Sequence, residues 1–191
     1  SGIPIAAMTE GAPEDFKKRF FVTHFFNPVR YMKLLELVAG PETDSQLFAD
    51  FADWGERRLG KGIVLGKDTP NFVANRIGTF GMMALLQKVA DSDLTVTDID
   101  GIFGKAMGRP KSAVFRTADI VGLDTLAHVS KNCLDSLTDD PQRGVFDVPD
   151  FVKTMLDKGY LGSKSGSGFY KKTRIDGKKA ILGLNLKTFE Y

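Results

Sequence analysis

The chain has 191 residues, 42% of them apolar, enough for one domain with a proper core or for one domain and part of another. A formal net charge of +2 in a mixed background predicts neither nucleic-acid binding nor a membrane-surface patch, although a basic patch could still form locally, for instance to meet a phosphate. The single cysteine, Cys133, excludes an internal disulfide framework and fits a reducing, cytoplasmic setting. No apolar run reaches membrane-span length, and the most apolar stretch, "IGTFGMMALL", is flanked by Asn75-Arg76 and Gln87-Lys88. No signal-peptide pattern opens the chain, and a start at Ser1-Gly2 without methionine fits a piece of something longer.

Residues 2 to 14 are small and apolar, then polar, and predict a short helix or turn. "RFFVTHFF" reads as a buried strand and "MKLLELV" as a second, with Asn27-Pro28 between them. A helix follows, with Thr43 placed to cap it, Gln46 three residues on as in a capping box, and Gly60 to stop it. Leu47, Phe48, Phe51 and Ala52 give it one apolar face, and "GIVLG" forms a third short strand. This order suits the closing part of an α/β sheet rather than a whole one.

At "KDTPNF" the texture changes. Thr69-Pro70 predicts the start of a helix from about 70 to 91, a capping side chain followed by proline at the first helical position. It is apolar on nearly all sides between Ile77 and Leu86, which places it at the buried centre of a bundle. Further helices are expected from Thr97 to near Gly108, from about 112 to 137, and from Pro149 to Gly159. "GSKSGSG" has no strand before it and no helix after it, and reads as a flexible connection ahead of a packed Phe169-Tyr170. Asp176-Gly177 marks a small hairpin. The fold class is mainly α with an α/β remnant.

The chemistry concentrates in residues 22 to 38, "VTHFFNPVRYMKLLELV". Burying an unpaired carboxylate costs several kcal/mol, so Glu36 in a buried strand must be paired, exposed or protonated. An adjacent return after Asn27-Pro28 could bring it to His24, twelve residues earlier. A carboxylate on one ring nitrogen fixes the tautomer, favours the imidazolium and leaves the other nitrogen to take a proton. The alternative puts Glu36 on a solvent-facing edge with His24 merely ending a strand. His128 reads as a partly buried helical residue with no chemistry. A hydrolase built from Ser1, His24 and Glu36 lacks a G-x-S-x-G elbow, "GIVLGKDT" has the wrong spacing for a phosphate loop, and no cluster has metal-ligand spacing.

Residues 22 to 38 resemble the "HFFNP…MKL.E" signature of the L-3-hydroxyacyl-CoA dehydrogenases. "KDTPNFVANR" resembles that family's passage from sheet to helical domain, "GRPKSAVFRTADIVGLDT" its "D.VGLD" helix, and "GYLGSKSGSGFY" its "G..G.K.G.GFY" ending. Four motifs in order cover most of the chain. The closing "LGLNLKTFEY" looks like a linker, as in multifunctional fatty-acid oxidation proteins where an enoyl-CoA hydratase-like part is fused to the dehydrogenase.

The resemblance implies the closing part of a Rossmann-type NAD-binding domain over 1–69, a 6-phosphogluconate-dehydrogenase-like helical domain over 70–172, and a hairpin or linker over 173–191. It implies NAD-dependent oxidation of an acyl-CoA substrate, with His24 as general base and Glu36 orienting it. Ser1 and Asn75 would hydrogen-bond the substrate, Ser1 being also a candidate cofactor contact. It further implies a homodimer through the helical domain, while the charge balance and residue spacing predict no nucleic-acid or membrane partner and no metal. The family's G-x-G-x-x-G pyrophosphate turn is not in this sequence, so weak NAD binding and no useful turnover are expected of the chain alone. A non-catalytic dimerisation or acyl-packing module, or a dehydrogenase for another hydroxy acid, are the rival expectations.

Overall fold

A computed structural model describes residues 2–191 and divides the chain into two compact units, one ending at Ile77 and the other spanning Gly78–Tyr191. In the first unit, short helices α1 (Ile5–Met8) and α2 (Glu14–Arg19) precede strand β1 (Phe21–Phe25). Strand β2 (Leu34–Ala39), helix α3 (Ser45–Leu59) and strand β3 (Gly62–Gly66) follow. β2 lies in the middle, antiparallel to β1 and parallel to β3. Leu35, Glu36, Leu37 and Val38 are all fully buried there, which explains why this strand reads as a nearly continuous apolar run.

Alternation sorts the sheet's side chains. Phe21 meets Phe48 and Phe51 of α3 at ring distances of 5.4 and 5.0 Å, and Gly55 lets α3 come close over Ile63 and Leu35. Leu47, expected on that face, is exposed. On the opposite face Val22 and Val38 pack with Ile5, Phe20 and Phe72. The same face carries His24 and Glu36.

The helix caps depart from expectation at the start of α3. Asp44, not Thr43, caps it, accepting the Leu47 N–H at 2.8 Å. Thr43 instead ties two loops, accepting from the Gly40 N–H and donating to the Phe20 carbonyl. Gln46 donates to Asp50 rather than closing a capping box. Gly60 ends the helix as expected, in the left-handed conformation (φ 63°).

Helix α4 (Ala74–Ala90) begins four residues later than Pro70 predicts. Asn71 and Phe72 both adopt left-handed backbone (φ 62° and 52°), so the chain cannot enter a helix there. Nor is α4 buried all round: Thr79, Met83, Leu86 and Val89 form its buried stripe while Ile77 is exposed.

In the second unit α5 (Val96–Ile102) carries a complete capping box, Thr95 with Asp98, so it starts slightly before Thr97. A 3-10 turn, Lys105–Met107, takes up the rest of the stretch to Gly108. The single helix expected over 112–137 is two, α6 (Phe115–Val121) and α7 (Leu123–Ser136), broken at Gly122 (φ 96°). Helix α8 (Asp150–Asp157) and a hairpin of β4 (Tyr170–Ile175) and β5 (Lys178–Gly183) complete the order. Asp176 and Gly177 form its two-residue turn with φ of 51° and 74°. The core joins Met83, Leu86, Ile99, Phe115, Leu126, Met155 and Phe169, with Phe189 and Tyr191 packed against it.

Two carboxylates organise this unit. Asp100 accepts the N–H groups of Val114, Phe115 and Arg116 at the start of α6, just after Ala113 in left-handed backbone (φ 49°), and also the Tyr170 hydroxyl. Asp119 accepts the Phe169 and Tyr170 N–H groups at 2.8 and 2.9 Å. Burial pushes the Asp119 carboxyl up to about 6, the two N–H groups pulling the other way and Asp100 adding to the rise. The glycine-rich segment is therefore not a loose connection. Gly162 bridges to Ser167, Ser163 donates to the Asp119 carbonyl, and a Cβ at Gly162 or Gly168 would collide with Asp119.

Candidate active site

The β1–β2 register sets His24 directly opposite Glu36 on one sheet face. The imidazole Nδ1 and Glu36 Oε2 are 2.6 Å apart, with the histidine side chain 22% exposed and the glutamate fully buried. The solvent-facing alternative for Glu36 is thereby excluded. With Nδ1–H donating to Glu36, Nε2 is the nitrogen that carries the lone pair. Phe26 and Phe72 flank the ring edge-on, at centroid distances of 4.7 and 5.5 Å.

The other carboxylate oxygen explains how Glu36 tolerates burial. Oε1 accepts the Val73 N–H at 3.0 Å and the Ala74 N–H at 2.7 Å, at the start of α4. A helix N-terminus offers unsatisfied N–H groups and the positive end of its dipole, together favouring a carboxylate by up to about 2 kcal/mol. Each Glu36 oxygen is thus hydrogen-bonded, one to the imidazole and one to the helix.

Asn75 sits one residue beyond Ala74, half-buried in the first turn of α4. Glu36 therefore places the histidine strand and the Asn75 turn from a single group. Ser1, the fourth candidate, lies outside the described residues. His128 is on α7 and exposed, not partly buried.

Sequence reasoning missed Lys61. Its Nζ donates to the carbonyls of Val29 and Met32 at 2.6 and 2.7 Å and lies 6.0 Å from the centre of the Phe25 ring. The lysine clasps the connection between the two strands that carry the pair. Its only sequence signal is its place just after the Gly60 helix stop. Phe26 and Phe72 were legible only as strand and helix residues.

Among the described residues no group of three His, Cys, Asp or Glu side chains could hold a metal ion, and no helix is long and apolar enough to cross a membrane. The sequence carries no G-x-G-x-x-G, and in the first unit the N-terminus of α3 is filled by Asp44 and that of α4 by Glu36.

The family model described as "3-hydroxyacyl-CoA dehydrogenase, NAD binding domain" matches residues 1–69, and "3-hydroxyacyl-CoA dehydrogenase, C-terminal domain" matches residues 72–172. A "Probable 3-hydroxyacyl-CoA dehydrogenase" of Bacillus subtilis is 51% identical over 191 residues, covering 100% of this chain and 24% of the relative. A protein of the same description from Deinococcus radiodurans is 46% identical over 174 residues, 91% of this chain and 49% of the relative. The chain thus spans a quarter to a half of these relatives. The crystal structure of M. tuberculosis FadB2 superposes with a TM-score of 0.77 at 30% identity, over 90% of this chain and 57% of that one.

Proposed function

The chain belongs to the 3-hydroxyacyl-CoA dehydrogenase family, and we propose that it carries the acid–base machinery for oxidising an L-3-hydroxyacyl-CoA to the 3-ketoacyl-CoA in fatty-acid β-oxidation. The observation that carries this reading is the His24–Glu36 pair at 2.6 Å, backed by the start of α4. NAD, when bound, supplies the hydride acceptor. His24 Nε2 takes the proton of the substrate's 3-hydroxyl as C3 is oxidised. Glu36 keeps Nδ1 protonated, so that Nε2 stays the basic nitrogen, and sits against the positive charge the ring acquires. Asn75, and Ser1 with it, holds the reacting oxygen or the neighbouring carbonyl. Phe26 and Phe72 wall the imidazole against competing water contacts.

In this reading residues 1–69 are the closing part of a Rossmann-type domain and residues 70–172 a 6-phosphogluconate-dehydrogenase-like helical domain. The pyrophosphate cradle is not among the described residues, so the 191-residue chain alone binds NAD weakly and turns over poorly. Exposed Ile102, Met107, Ile120 and Val121 in the α5–α6 region support self-association through the helical unit. The test is His24→Gln in the full-length protein. NAD-dependent oxidation of 3-hydroxybutyryl-CoA should fall at least 100-fold with the thermal midpoint retained. Unchanged turnover would remove His24 from the mechanism.

A further inference from the structure

The net charge of +2 conceals a segregation. The β4–β5 hairpin holds Lys171, Lys172, Arg174, Lys178 and Lys179 against the single carboxylate of Asp176, so it carries +4 and the rest of the chain −2. Register puts Arg174 directly opposite Lys179, and Lys172 opposite Ile181. Side chains two apart share a face, so Lys172, Arg174, Lys179 and Ile181 stand on one side of the ribbon, beyond half-buried Tyr170 at its base. All four are exposed, Ile181 by 54%. The reverse side has its footing at half-buried Thr173 and Ala180, with Ile175 (51% exposed) and Lys178 beside the turn.

Like charges directly opposite on an antiparallel pair destabilise it. The ion pairs of the described residues include none of these five cations; Lys171 alone has a ring contact, 5.2 Å from the centre of Tyr191. The ribbon thus holds unneutralised charge at a local cost, and an anionic partner would turn that cost into attraction.

We propose that the β4–β5 hairpin docks the protein on an anionic phospholipid bilayer. Cations stand on both faces and beside the turn, so a rigid carboxylate surface would meet only part of them, whereas mobile headgroups can close around the exposed turn end of the ribbon. Ile175 and Ile181, isolated among the cations, enter the headgroup–acyl boundary as the ammonium and guanidinium groups meet phosphates. The hairpin's one aromatic, Tyr170, is half-buried with its hydroxyl on Val96 and Asp100, so the ribbon presents no free ring to stack on bases, which disfavours a single-stranded nucleic acid.

The test is sedimentation of the 191-residue chain with phosphatidylcholine vesicles, with and without about one-third phosphatidylglycerol, at ~0.1 M salt. The chain should sediment with the anionic vesicles only and be released as salt is raised. Combining Lys172→Gln, Arg174→Gln and Lys179→Gln should weaken partitioning roughly 100-fold. The thermal midpoint should hold or rise, because the opposed charges are gone. Ile181→Ser should weaken binding without changing its salt dependence. No sedimentation, equal sedimentation with neutral vesicles, or full binding by the triple variant would overturn the proposal. Displacement from vesicles by a charge-equivalent amount of oligonucleotide or polyglutamate would overturn it too, in favour of a nucleic acid or an acidic protein.

Discussion

Glu36 grips His24 Nδ1 at 2.6 Å with one oxygen and the amides of Val73 and Ala74 with the other, so the imidazole and the start of α4 share a single anchor. Glu36→Gln cannot satisfy both sides, because an amide offers one acceptor and one donor. If its oxygen stays with the helix, its NH2 faces Nδ1 and forces the ring into the other tautomer. Nitrogen-detected NMR of the chain should show His24 protonated at Nε2, and turnover of the full-length protein should drop by roughly 100-fold or more. An unchanged tautomer would break the link between Glu36 and the orientation of the His24 ring.

Lys61 should matter to the site more than to the fold. Lys61→Met releases the carbonyls of Val29 and Met32 from their clasp, at a stability cost of about 1 kcal/mol. Hydrogen exchange should quicken across residues 28–33, with kcat of the full-length protein falling and Lys61→Arg restoring part of it. Exchange confined to parent rates would show the clasp to be passive.

Asp119 gives stability an unusual pH dependence. Its carboxyl is raised from 3.8 to about 6 by burial, so between these values the folded chain holds a proton that the unfolded chain has released. This group's contribution therefore falls as pH rises through that window and returns as pH is lowered. Asp119→Asn sets an NH2 against one of the Phe169 and Tyr170 amides, costing about 1–3 kcal/mol. Denaturant melts from about pH 4 to 7 should show the parent's advantage over this variant growing toward acid. An advantage that shrinks toward acid would contradict the assignment.

Gly168→Ala should be among the costliest single changes in the helical unit. The added methyl has no room beside the Asp119 carboxylate and the Gly162 backbone, so the loop must shift, at about 3 kcal/mol or more. Gly144, where a Cβ meets nothing, is the control: Gly144→Ala should leave the melt nearly unchanged.

The parts of the fold that sequence anticipated are those set by neighbours along the chain. The apolar runs of β1 and β2, the Gly60 stop and the Asp176-Gly177 turn each depend on a few adjacent residues, and each stands where expected. Where the structure departs, the deciding group comes from elsewhere. Pro70 looked like a helix start because the rule looks for a nearby capping side chain, whereas α4 takes its cap from Glu36. Gly122 divides one expected helix into two through a backbone conformation that an apolar pattern does not encode. The site was half-legible for the same reason. Spacing allowed the His24–Glu36 pair, but nothing local announced the second role of Glu36 or the clasp by Lys61.

The caps also imply an order of assembly. α4 follows the left-handed Phe72 and α6 the left-handed Ala113, and both are capped by carboxylates from earlier in the chain, Glu36 and Asp100. For α4 that carboxylate is 37 to 38 residues away. A peptide of residues 74–90 should fray in its first turn however helical its middle, since nucleation is unfavourable and its cap is missing. In the whole chain that turn closes only once β2 is in place, so its amides should exchange at the pace of the central strand rather than of a helix end.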